Sequence, residues 1–201
     1  MMMKPSRALP IAFLLAACGS EPSGDAARGS AADSASAAPA TAADTTAAAP
    51  AGSAAPTIVL APDGLSVTGA APKQLAFGSP RAGALAAVGE VLGEPAEQGL
   101  QEECPAGPLY QAQYGGGLQL VFQDSAFVGW NVRPGSAFRT REGVGAGSTL
   151  AQLRAAYPAT KVEETSLGME FAADDLFGVV TDSSAAGTVE AMFAGINCIF
   201  R

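Results

Sequence analysis

Leu15-Ala16-Ala17-Cys18 is the arrangement in this chain with the most explicit chemistry. A cysteine directly after two small residues, closing a short apolar run, is the thiol that a bacterial envelope acylates with diacylglycerol through a thioether. The elements that must deliver it lie upstream. Lys4 and Arg7 supply a basic start and Ala8 to Ala17 an apolar stretch, the layout of a secretory signal. About ten apolar residues fall short of the roughly 20 that span a bilayer, so the stretch reads as cleaved. Residues 1–17 are expected to be a lipoprotein signal peptide and Cys18 the lipidation site. The competing reading is an ordinary secretory signal followed by an incidental cysteine. Gly19 and Ser20 follow Cys18, and neither is the aspartate that holds many lipoproteins in an inner membrane. In a source with two membranes, the expected address is the outer one, facing the periplasm.

Two further cysteines remain, Cys104 and Cys198. Outside the cytoplasm disulfides form and persist, so a Cys104–Cys198 bridge is expected. It would close a long loop, worth roughly 4–5 kcal/mol in the chain-entropy view. Two buried free thiols are the alternative. A metal site is not implied, because no second cysteine lies near either one and the chain has 0 histidines. The missing imidazole also removes Ser-His-Asp and Cys-His catalysis. No cofactor is implied.

Charge narrows the partners. Removal of Lys4 and Arg7 takes the basic count from 11 to 9 against 19 acidic residues, a net charge near −10. Such a chain repels phosphate backbones and anionic head groups, so nucleic acid is not an expected partner. Attachment to a membrane falls to the N-terminal lipid, whose several acyl chains hold better than one.

From Gly19 to Pro56 the sequence is almost nothing but Ala, Ser, Thr, Pro, Gly and a few acids, with no large apolar residue to offset ordering entropy. Residues 18–56 are therefore expected to be the lipidated cysteine and a disordered tether reaching roughly 35 Å. At Thr57 the composition changes, and 57–201 reads as the folded domain. Thr57 to Leu60 and Leu65 to Val67 are strand candidates around the turn Pro62-Asp63-Gly64. Ser79 is positioned to cap a helix with Pro80 at its first turn, carrying Leu85, Val88 and Leu92 to a stop at Gly93. Glu90 is placed on the solvated side. Leu109 to Tyr114, Leu118 to Gln123 and Ala126 to Val132 follow as an antiparallel meander. Its alternation puts Tyr110, Ala112 and Tyr114 on one face, and sets Phe127, Gly129 and Asn131 against Val128, Trp130 and Val132.

The same order returns downstream. Thr149 and Gln152 fit a capping box ahead of Leu150, Leu153 and Tyr157, with Pro158 as the stop. Strand candidates follow at Lys161 to Glu164, Gly168 to Ala172, Leu176 to Thr181 and Thr188 to Ala194. The expected fold class is α+β, with two tandem repeats of helix then antiparallel strands, about 75–134 and 141–201, forming one curved sheet surface.

The segment Gly145 to Pro158, together with Asp63-Gly64-Leu65, Leu92-Gly93-Glu94-Pro95, Glu103-Cys104 and Phe127-Val128-Gly129-Trp130, resembles bacterial lipoproteins with β-lactamase-inhibitor-like tandem repeats. The small barrel-assembly lipoprotein of the outer membrane carries a related helix-then-sheet unit. The resemblance covers about residues 57–201. It implies two α/β repeats and a binding role in place of a catalytic one.

Candidate binding residues follow from residue type. Trp130, Tyr110 and Tyr114 are aromatics suited to line a recognition face, against half-buried sheet aromatics as the plain reading. Arg133, with Arg139 and Arg141, is a local basic cluster suited to a carboxylate or phosphate, against a solvated loop. Gly115-Gly116-Gly117 lacks a phosphate-loop context and reads as a turn. Asp174-Asp175 and Glu163-Glu164 lack calcium-loop spacing. The expected function is a lipid-anchored binding or scaffolding protein of the cell envelope with a protein partner. The alternative is a periplasmic enzyme or enzyme inhibitor.

Overall fold

Short runs with every second residue apolar, separated by Gly, Pro and Asp turns, fold as strands through most of the chain. The computed structural model describes residues 57–69 and 71–199. The expected signal peptide 1–17, the expected lipidation site Cys18 and the expected tether 18–56 lie outside the described residues. Three strands, β1 (Ile58–Ala61), β2 (Gly64–Val67) and β3 (Lys73–Ala76), precede helix α1 (Arg81–Leu92). Next come β4 (Glu97–Gln101), β5 (Leu109–Gln113), β6 (Leu118–Gln123), β7 (Ala126–Val132) and β8 (Arg139–Thr140). Helix α2 (Leu150–Ala156) leads to β9 (Lys161–Thr165), β10 (Gly168–Ala173), β11 (Leu176–Val180) and β12 (Val189–Gly195).

Two sheets result. A 4-stranded sheet runs β3-β2-β1-β8, and an 8-stranded sheet runs β4-β5-β6-β7-β12-β11-β10-β9. All pairings are antiparallel except that of β1 with the two-residue β8. Among the described residues 44% are strand and 15% helix, which overturns the expected α+β fold of two tandem repeats with one curved sheet. The architecture is mostly β, with two sheets. The expectation failed on three strands. β3 and β4 each hold a single large apolar residue, Leu75 and Leu100, so neither shows the alternation that reveals a strand. β8 has only two residues and sits inside the segment read as an Arg-rich loop. Without them the N-terminal hairpin had no visible sheet to join.

One side of the eight-stranded sheet carries the core. Leu118, Leu120, Phe122, Trp130, Phe171, Leu176 and Met192 pack there against Ile58, Leu60, Leu65 and Val67 of the small sheet. Ala84, Ala87 and Val88 of α1 and Leu150 and Leu153 of α2 join the same cluster. The Trp130 indole N–H donates to the Ala61 carbonyl at 2.9 Å and so pins the two sheets together. We call this the inner face.

The strict alternation expected for β7 breaks at Val128. Val121 pairs with Gly129 but Phe122 pairs with Phe127, leaving Val128 as the extra residue of a bulge. Phe127 therefore shares the inner face with Trp130, and both are fully buried. The two helices start differently. Thr149 and Gln152 form the expected capping box, each side chain bonding the other's backbone N–H. At α1, Pro80 takes the cap position and no side chain caps the helix. Ser79 is occupied otherwise: its carbonyl accepts from the Phe127 N–H at 2.8 Å, tying the helix start to β7. Glu90 is exposed as expected and meets Lys73 of β3 at 2.7 Å, a surface ion pair that contributes little. No helix among the described residues is long and apolar enough to cross a membrane.

Candidate functional site

The opposite side of the eight-stranded sheet, the outer face, is not covered by the second sheet. Its most ordered feature is a chain of side-chain amides. Asn131 of β7 donates to the Gln119 oxygen on β6, and Gln119 donates to the Gln111 oxygen on β5 at 3.0 Å. Asn131 also donates to Asn197 at 3.2 Å. Register explains the ladder, since Gln119 lies directly opposite Asn131 and cross-strand neighbours have their Cβ atoms within about 5.5 Å. Asn131 continues in register to Phe193 of β12 and then to Phe177 of β11. Those two rings stack at 5.7 Å with planes 23° apart. One row thus passes from amides to aromatics across five strands.

A groove of ≈ 360 Å³ lies over this row. Gln111, Gln119, Asn131, Phe193 and Val179 contribute to its lining, together with Glu170 of β10. Glu170 is a buried carboxylate at 9% exposure. A smaller hollow of ≈ 170 Å³ continues past Glu170 between Phe177, Glu163 and Lys161. One wall of the main groove is the segment Asn197–Ile199 beyond β12. The segment is fastened twice: the Ile196 N–H donates to the Val128 carbonyl at 2.8 Å, and Cys198 is bonded to Cys104. The disulfide expected from the sequence is present, with Cα atoms 5.0 Å apart and a sequence separation of 94. Cys104 packs with Leu109, Val121 and Val128 in a small apolar cluster on the outer face. Gly129 makes room for the segment, because a Cβ there would sit 2.1 Å from the Ile196 carbonyl oxygen.

Comparison with family models, curated proteins and solved structures finds no match. The reading of this site therefore rests on its geometry alone.

The residues singled out from sequence are placed differently. Trp130, Tyr110 and Tyr114 do share a face, but it is the inner one, packed beneath the small sheet and α1. Trp130 is fully buried and Tyr114 is 4% exposed, so the exposed aromatic surface expected of them is corrected. Tyr110 is half-buried, donates to Gln98 at 2.9 Å and lies under the Arg81 guanidinium, 4.4 Å from its ring centre. The Tyr114 hydroxyl has no hydrogen-bond partner among the described residues, and burial first, then the Glu94 and Tyr110 charges, push its pKa up to about 12.

The arginine cluster does not converge on one point. Arg133 is exposed after β7, while Arg139 turns back onto the Ser136 and Phe138 carbonyls at 2.9 Å. Arg141 lines a separate polar hollow of ≈ 430 Å³ with Asp63 and Glu142. Glu142 accepts from the Tyr157 hydroxyl at 2.6 Å, which holds its carboxyl below the usual range. Burial and that same bond raise Tyr157 to about 12. Gly115–Gly117 forms the expected turn, and Asp174-Asp175 joins β10 to β11. Among the described residues no group of three or more His, Cys, Asp or Glu is arranged to hold a metal ion.

Gln111, Asn131, Asn197, Glu170 and the Phe177–Phe193 pair were not singled out from the sequence. A signal existed: uncharged amides at alternate strand positions, where a solvated face ordinarily carries charges.

Proposed function

We propose that this chain is a lipid-anchored binding module of the cell envelope that holds its ligand in the outer-face groove. The observation that carries the reading is the groove itself, where a hydrogen-bonded amide row meets a stacked phenylalanine pair beside a buried carboxylate. Amides offer both donors and acceptors, the rings offer an apolar platform, and Glu170 favours a ligand carrying positive charge. This combination suits a polar, partly apolar segment of a protein partner. Sequence supports the setting: Cys18 carries the lipid, residues 18–56 are the tether, and the outer membrane facing the periplasm is the address where two membranes exist.

Two measurements test it together. Mass spectrometry of the mature N-terminus is expected to find acylated Cys18; an intact Met1 or a water-soluble cleavage product would remove the anchor from the proposal. A photoreactive amino acid at Ala191, inside the groove, is expected to trap a specific protein in the native cell. The same probe at Asp175, in the exposed β10–β11 turn, is expected to trap none. Equal adducts at both positions would refute the groove as the binding site.

A further inference from the structure

The eight-stranded sheet ends in two exposed edges, and they are built differently. An edge strand turns every second N–H and C=O away from its sheet, which invites another strand to pair unless charges or prolines discourage it. β9, at one edge, carries Lys161, Glu163 and Glu164 within five residues. β4, at the other, reads Glu-Gln-Gly-Leu-Gln and carries one charge, at its first position. It contains no proline or lysine. Its Leu100 is 56% exposed, more than any other large apolar residue described.

We propose that β4 is a self-pairing edge, joining two copies of this chain through antiparallel β4 strands related by a twofold axis at Gly99. The sequence of the strand favours this occupant over others. A twofold at Gly99 sets Glu97 opposite Gln101 of the copy and Gln98 opposite Leu100. No like charges meet. The Gln101 amide faces the Glu97 carboxylate twice, once on each side of the axis. The two Leu100 side chains become diagonal neighbours on the same face and cover one another. Gly99 brings no steric obstacle to the axis, since a Cβ there has nothing within 4 Å. The same operation on β9 would set Glu163 against Glu163, a destabilising pair. One edge is therefore compatible with its own copy and the other is not. A five-residue strand pair buries less than the roughly 1,200 Å² of a stable interface. The dimer is accordingly weak and concentration-dependent, and crowding on a surface would favour it.

Sedimentation equilibrium on the full chain is expected to show a reversible monomer–dimer exchange. Leu100→Lys, at an exposed position, is expected to weaken the dimer at least tenfold while leaving the circular dichroism spectrum unchanged. Gly99→Cys should form an intermolecular disulfide under mild oxidation, and Glu163→Cys at the opposite edge should not. Three results would overturn the proposal: a monomer at every concentration reached, crosslinking of Glu163→Cys as fast as Gly99→Cys, or a dimer indifferent to Leu100→Lys. Crosslinking of Gly99→Cys to a different protein and never to itself would also overturn it, by assigning the edge to another partner.

Discussion

Trp130 and Asn131 are neighbours in β7, yet they belong to the two faces of one sheet and are held by different forces. The Trp130 side packs apolar residues from two sheets and two helices into a continuous core. The Asn131 side is organised by amide hydrogen bonds and closed by a disulfide-fastened segment. Apolar burial is non-directional and scales with area, so it serves stability. Amide bonds are directional and contribute only about 0.5–1.5 kcal/mol each in net terms, so an array of them chiefly fixes where groups point. The difference teaches that the first face is held by area burial, whereas the second is held locally, by directional amide bonds and one covalent link.

Substitutions can break or sharpen that contrast. Trp130→Ala should produce the largest loss, about 3–5 kcal/mol by chemical denaturation, because it opens the core and removes the indole bond to the Ala61 carbonyl. A loss no larger than that of Asn131→Ala would collapse the distinction between faces. Cys198→Ser should cost about 2–4 kcal/mol, and it should also weaken ligand capture by releasing the groove wall. Loss of stability with capture intact would make the disulfide structural only.

Tyr114→Phe probes the inner face from another direction. Removing a buried, unpartnered hydroxyl should stabilise the protein by about 1 kcal/mol at neutral pH. It should also flatten the alkaline decline. With Tyr114 raised to about 12, its favourable neutral form is fully present below pH 10, where unfolded tyrosine begins to ionise. That advantage is lost as pH rises through the folded value, a fall of about 2–3 kcal/mol across the window. Tyr157 titrates likewise, so the substitution should remove about half of the loss seen by pH-dependent denaturation. Asn131→Ala should have the smallest effect on stability, about 1 kcal/mol or less, yet abolish photocapture at Ala191. Unchanged capture would remove the amide row from the site.

Much of the inner face was legible in the sequence because it follows from period-two alternation and turn chemistry. β5, β6, β7, β10 and β11 and the Thr149 capping box all fall where the residues put them. What failed was the sheet that covers that face. β3 is held by pairing with the preceding β2 and β8 by pairing with the sequence-distant β1, and both carry almost no apolar signal of their own. With that cover unseen, Trp130, Tyr110 and Tyr114 read as a surface. The groove was missed for a related reason: its residues belong to six strands whose register, including the extra residue Val128, is set by tertiary pairing. The disulfide was legible because only its compartment and two cysteines were needed.

β12 is the last strand in sequence, yet it lies mid-sheet, hydrogen-bonded to β7 on one side and β11 on the other. Until residues 189–195 are available, β7 remains an open edge and Trp130 lacks Ala194 opposite it. A nascent chain thus cannot complete its core early. Pairing at such sequence distance is intrinsically slow, so the sheet should close late in folding, only once β12 takes its place between β7 and β11. The placement of one strand sets the timetable of maturation.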